Sequence, residues 1–221
     1  MITATERKYY RKDLDILKGF AIIAVVLYHM GLCESGYLGV DIFFVISGFL
    51  ITPKVVRVIS EKKFRYFSFI EKRVARLLPL LLIVMACCLI AGYLTMMPDD
   101  YENLSQSVVA SSFFSNNILS LITSRDYWAL LMEYKPLMHT WYIGILFEYY
   151  LVLPLIFLLV YRITNNKDFY YRNAIITLGG LSLVSFALYL IPSISDGDKF
   201  YLLPYLFFEM GVGGGNLALY F

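Results

Sequence analysis

Hydrophobic positions along this chain do not alternate and do not recur at helical spacing; they run together. Uncharged or nearly uncharged stretches long enough to cross a bilayer cover Leu14–Cys33, Tyr37–Pro53, Leu77–Pro98, Leu137–Tyr161, Ala174–Pro192 and Phe200–Phe221. A spanning helix needs about 20 mostly apolar residues, and Leu77–Pro98 and Ala174–Pro192 carry no charged residue at all. A further stretch, Leu104–Ile122, is uncharged but rich in Ser, Asn and Gln, with Asn116 and Asn117 adjacent. That polarity predicts a re-entrant or interfacial segment rather than a span. The pattern predicts an all-α, polytopic bundle of six to seven hydrophobic segments, with residues 1–221 forming one partial membrane domain.

Composition agrees. Of 221 residues, 59% are hydrophobic and 16% charged, against about 45–50% and 25% in a soluble domain. Net charge is +2, and the basic residues sit between apolar runs, which argues against a nucleic-acid partner. Cys33, Cys87 and Cys88 have neither zinc-ligand spacing nor a disulfide pattern, so no metal site is expected. The first apolar run is too long for a signal-peptide core and is expected to remain in the mature protein. The chain ends in an apolar stretch, Gly213–Phe221, which leads us to expect a truncated product.

Basic residues set the orientation. Most of the 19 lie in three places: Arg7 to Lys12, Lys54 to Arg76, and Arg162 to Arg172. Acidic residues dominate the intervening loops, with Glu34, Asp99, Asp100, Glu102, Asp126, Glu133, Asp196 and Asp198. Since Lys and Arg collect on the cytoplasmic side, the N-terminus is expected inside a bacterial inner membrane, and the first two spans form a tight hairpin. The alternation closes only if Leu104–Ile122 does not cross.

Ionisable groups inside a bilayer cost at least about 2.5–3.5 kcal/mol at a helix centre, which makes Lys18, His29, Asp41, His139, Glu148 and Glu209 candidates for function. Lys18 and His29 are eleven residues apart, a rotation only about 20° beyond three full turns, and roughly 16 Å apart along the axis. One helix face would present a cation at one level and a titratable base at another. Asp41 follows His29 across a short turn. There it can orient the imidazole and strengthen it as a base, so that His29 takes a proton from an attacking hydroxyl. Each has a plainer reading: Lys18 reaching the headgroups, His29 bonding a helix-end carbonyl. Buried charges lining a transport path would give a permease-like protein instead, but neither an internal repeat nor paired half-helices is present.

Several segments, in order, resemble the acyltransferase-3 family of membrane O-acyltransferases. Leu14-Asp15-Ile16-Leu17-Lys18-Gly19-Phe20-Ala21 followed by His29 is similar to its opening, a basic residue and, after ten positions, a His. Gly39 to Ile51, Phe69 to Pro79, then Asn116, Tyr127 and Pro136-Leu137-Met138-His139-Thr140-Trp141, and finally Glu209 with Gly211, resemble later family segments. Departures are local: Lys18 stands for the usual Arg, Leu146 for a Glu, Glu148 for a Gln, and Leu206 for an Arg. The resemblance implies a domain of about ten spans that moves an acyl group, commonly acetyl, from cytoplasmic acyl-CoA to a hydroxyl of a surface carbohydrate, with no bound cofactor. On that basis His29 is expected as general base with Asp41 orienting it and Lys18 polarising or binding the donor. Lys72, Arg73 and Arg76 would hold the phosphates of CoA. His139, Trp141 and Glu148 would meet the acceptor. An inactive fragment of such an enzyme is the alternative within the same family.

Overall fold

A computed structural model describes residues 11–124, 135–164 and 167–219. The calls on Arg7, Lys8, Arg125, Asp126, Tyr127 and Glu133 lie outside them. Every element among the described residues is helical: α1 (Lys12–His29), α2 (Leu38–Ser60), α3 (Tyr66–Thr95), α4 (Pro98–Ser112), α5 (Asn116–Ser124), α6 (Trp141–Ile163), α7 (Lys167–Tyr189), α8 (Asp196–Tyr201) and α9 (Leu203–Gly214), with short 3-10 turns before α2, before α6 and after α9. Continuous helix is what apolar chain requires in lipid, because it satisfies its own backbone polar groups.

Four helical stretches are long and apolar enough to cross a membrane: Glu34–Ser60, Tyr66–Thr95, Met138–Ile163 and Phe169–Tyr189. Two expected spans differ. α1 has the length but carries Lys12, Asp13, Asp15 and Lys18 in its first two turns. The Phe200–Phe221 stretch is broken into α8, α9 and a 3-10 turn. Pro204 opens α9 at a position whose N–H no helix would use. The polar Leu104–Ile122 stretch is two helices, α4 and α5, folded back at Phe113–Ser115. Its serines are tied to their own helix: Ser105, Ser107 and Ser112 each donate to the carbonyl four residues earlier.

The element ends follow local chemistry. Gly31, at φ +71°, stops α1 in a Schellman turn, in which Gly31 N–H bonds Tyr28 O and Leu32 N–H bonds Leu27 O, both at 2.9 Å. Lys62 and Phe114 take the same left-handed position after α2 and α4, at φ 58° and 55°, where a side chain costs roughly 1–2 kcal/mol. Phe114 offsets this by burial and by stacking on Phe147, centroids 4.3 Å apart. Pro53 does not end the second span as its position suggests; α2 continues to Ser60. The carbonyl its ring leaves without a partner is that of Phe49, and Asn216 Nδ2 donates to it at 3.3 Å.

The core sits where α2, α6, α7 and α9 meet, around Phe44, Val56, Ile145, Tyr149, Leu153, Phe157, Tyr170 and Met210. A second cluster of Leu81, Met85, Leu104, Phe114 and Leu137 joins α3 to α4 and to the turn before α6. Glycine sets the closest contacts. A Cβ on Gly48 would run into the Met210 carbonyl, and one on Gly213 into that of Val45, so α2 and α9 pack backbone to backbone. Gly36 and Gly39 do the same for the α1–α2 hairpin against Ala24 and Ala21.

Candidate active site

The helices place the site residues at two ends of the bundle. At one end α1 finishes, α2 begins and α6 begins. His29 closes α1, and His139 lies in the 3-10 turn Met138–Thr140. Both are exposed, and their rings meet edge to face with centroids 4.7 Å apart. Tyr28 abuts the other side of His29 at 5.3 Å. The turn that carries His139 is tied down from below: Asn116 Nδ2 donates to Leu137 O at 2.9 Å and to Thr140 Oγ1 at 2.7 Å, and Thr140 also bonds Ser111 at 2.8 Å. The segment expected to lie at the interface is therefore the shelf on which His139 stands.

Asp41 does not do what the sequence suggests. No hydrogen bond joins it to His29 among the described residues. It is half-buried in the first turn of α2 and interacts electrostatically with Glu209 of α9. The α2–α9 packing brings Asp41 near Glu209, and the ring beside His29 comes from the 3-10 turn before α6. Glu209 Oε2 is buried without a hydrogen bond among the described residues, and Tyr142 next to this pair shares a 3.4 Å contact with Ser47. Lys18 lies on the same unbroken helix as His29, so the predicted face match stands, and its ammonium pairs with Asp15 at 3.4 Å.

Two acceptor-site expectations meet a different environment. Trp141 is 5% exposed, wedged among Phe44, Tyr142, Phe200 and Tyr201, with Phe200 at 4.3 Å. It is a core residue that locks α6 to α8, out of reach of a bulky ligand. Glu148 is half-buried, and its Oε1 accepts from Asn117 Nδ2 at 2.8 Å; the same amide donates to Tyr201 O at 3.1 Å. Gly144 gives Asn117 its room, since a Cβ there would overlap the Asn117 side-chain oxygen. Glu148 thus joins α5, α6 and the start of α9.

The other end holds the cations. Lys54, Lys63, Arg65, Lys72 and Arg73 line a cavity of about 360 Å³ floored by Val55, Phe64 and Phe69. Arg73 is half-buried, its guanidinium 4.9 Å from the Phe69 ring centroid and 5.3 Å from that of Tyr150. Its Nε is buried and donates to nothing among the described residues. A fixed guanidinium with an unused donor, between aromatic faces and ringed by ammonium groups, is a site for an anion. Arg76 is exposed and does not line this cavity. The two ends are separated by much of α6, whose Trp141 and Tyr150 are nine residues apart, about 14 Å of helix rise.

From the sequence, Glu209 has no assigned role, Asn116 enters only through the family resemblance, and the adjacent Asn116 and Asn117 count as evidence against a span. Adjacent amides in an otherwise uncharged stretch were the available signal, since buried amides must find partners.

The family model of the acyltransferase domain (acyltransferase-3) matches residues 11–218. The chain belongs to this family. Relatives include O-acetyltransferase OatA of Staphylococcus aureus (strain NCTC 8325 / PS 47) and that of strain COL, each 32% identical over 193 residues, covering 86% of this chain and 31% of the relative. The protein SAS0844 of strain MSSA476 is 27% identical over 201 residues, covering 89% and 32%. This acyltransferase-family chain spans about a third of the length of these relatives. No solved structure matches it.

Proposed function

We propose that this chain is the membrane part of an O-acyltransferase that moves an acyl group, acetyl by analogy with the names of its relatives, from acyl-CoA to a hydroxyl of a cell-envelope carbohydrate. The observation that carries the reading is the division of labour along one bundle. A basic, aromatic-walled cavity built around Arg73 lies at one end, and a pair of exposed imidazoles lies at the other.

The chemistry follows from those groups. Phosphates of CoA fit the cavity, with Arg73 stacked and donating and Lys72 and Lys54 adding charge. The flexible arm of the donor then carries the thioester along the bundle toward His29. His29 takes the proton of the acceptor hydroxyl as its oxygen attacks the thioester carbonyl. The C–O bond forms, the C–S bond breaks, and the proton passes to the departing thiolate. His139 acts as a positioning residue that holds the His29 ring.

The test is transfer of labelled acetyl from acetyl-CoA to envelope carbohydrate in membranes containing the protein. His29→Ala is expected to cut transfer by about 10²–10⁴-fold, the usual worth of a general base, with expression unchanged. Wild-type transfer by that variant would overturn the assignment.

A further inference from the structure

A second cavity, of about 330 Å³, lies beside the Arg73 cavity and shares only Lys54 and Val58 with it. Its walls are Arg11, at the start of α1, and Phe49, Leu50, Pro53, Lys54, Arg57 and Val58 of α2. Those α2 positions step by one and then three residues, so they form one stripe of the helix. Three of the lining residues are cations and four are apolar, and among the described residues no acidic one lines the cavity. Arg11 reaches across from α1 to sit 5.3 Å over the Phe49 ring. Leu50 opens the cavity sideways; it is 44% exposed on a helix long and apolar enough to span a membrane. The nearest carboxylates stand outside and are engaged. Asp13 holds Arg11 at 2.7 Å, and Glu61 is shared by Arg57 at 3.3 Å and Lys63 at 3.2 Å. The Lys63 ammonium holds the Glu61 carboxyl below the usual carboxylate range.

We infer that this cavity binds the headgroup phosphate of an anionic phospholipid, with an acyl chain lying along Leu50 and Phe49. A soluble anion has no use for the apolar walls or for an opening toward the hydrocarbon, whereas a phospholipid presents its phosphate and its chains at these two levels at once. Zwitterionic lipids carry their own ammonium group and gain less from three cations. The cations here come from two helices, so a bound headgroup clamps the start of α1, a helix that packs mainly on α2 and the turn before it. Because α1 carries His29, lipid binding would steady one catalytic side chain. The binding itself needs no acyl transfer.

Native mass spectrometry of the purified chain in detergent, titrated with dioleoyl phosphatidylglycerol or dioleoyl phosphatidylcholine, tests this. One phosphatidylglycerol should be retained per chain in preference to phosphatidylcholine. Arg11→Gln/Arg57→Gln should weaken that binding by about tenfold or more. Arg162→Gln, which removes an exposed cation of α6 remote from the cavity, should leave it unchanged. If the double variant does not fold, Leu50→Glu, which repels the phosphate from the opening without touching the cations, should give the same loss. Equal retention of the two lipids, or undiminished binding in whichever folded cavity variant is measured, overturns the inference. Displacement of the lipid by millimolar inorganic phosphate makes this a soluble-phosphate site and overturns it too.

Discussion

Arg73 and Arg76 illustrate how little a motif says about its members separately. They sit three residues apart on α3, yet only Arg73 is stacked between Phe69 and Tyr150 and turned into the basic cavity. Arg73→Gln is expected to raise the KM for acyl-CoA by about tenfold or more, the worth of a charge-assisted hydrogen bond, while Arg76→Gln changes it less. Steady-state transfer at varied acyl-CoA decides between them; an equal effect of both would deny Arg73 its special place. Trp141 makes the same point from the opposite side. Its sequence neighbours suggest contact with a sugar or a place in the interfacial belt, but its burial among Phe44, Phe200 and Tyr201 makes it a packing residue. Trp141→Ala should cost about 3–5 kcal/mol, read as loss of thermal stability in detergent. A variant with normal stability and weakened acceptor binding would restore Trp141 to the acceptor site.

At the scale of elements, the contact between α2 and α9 organises the rest. Hydrophobic gain does little to join helices in lipid, so close approach through small residues matters more. Gly48 and Gly213 face partner backbone that cannot move aside, whereas Gly179 and Gly180 of α7 have open space where a Cβ would go. The same substitution should therefore act with opposite signs. Gly48→Ala should lower the melting temperature by separating α2 from α9. Gly179→Ala should leave it unchanged or raise it, since glycine costs a helix interior about 1 kcal/mol relative to alanine. Melting both variants in one detergent checks this, and equal effects would mean that the α2–α9 contact does not hold the bundle. The polar pair α4–α5 serves differently. It spends Ser105, Ser107 and Ser112 on its own backbone, Ser111 and the Asn116 amide on the turn that bears His139, and the Asn117 amide on Glu148 and Tyr201, so its polarity is used inside the protein.

For the whole molecule, basic residues cluster at one end and the imidazole pair at the other. By the positive-inside rule the basic end is expected in the cytoplasm, the compartment that holds acyl-CoA. In a cysteine-free background made by replacing Cys33, Cys87 and Cys88, Lys62→Cys should resist a membrane-impermeant maleimide in intact cells, and Asp99→Cys should react. Reversed labelling would place the donor cavity on the wrong side. Opposite-end placement also separates the two roles energetically. On the proposed reading, the anion binds among cations and aromatic faces at one end of α6, and the proton moves at exposed rings at the other.

The sequence by itself determined that the chain is a helical membrane protein, how its basic residues divide along it, and which family it resembles. Each rests on local quantities: the length of an apolar run, the sign of nearby charges, the spacing of a motif. The His29–His139 pair, the turning of Asp41 toward Glu209, the burial of Trp141 and the division between Arg73 and Arg76 were decided only by tertiary structure. Residues 29 and 139 are far apart in the chain, and helical periodicity fixes only which residues share a face, not which helix that face meets. That choice was made by glycine contacts such as Gly48 on Met210, where backbone approaches backbone and a shift of one helix would carry every polar side chain to a different partner.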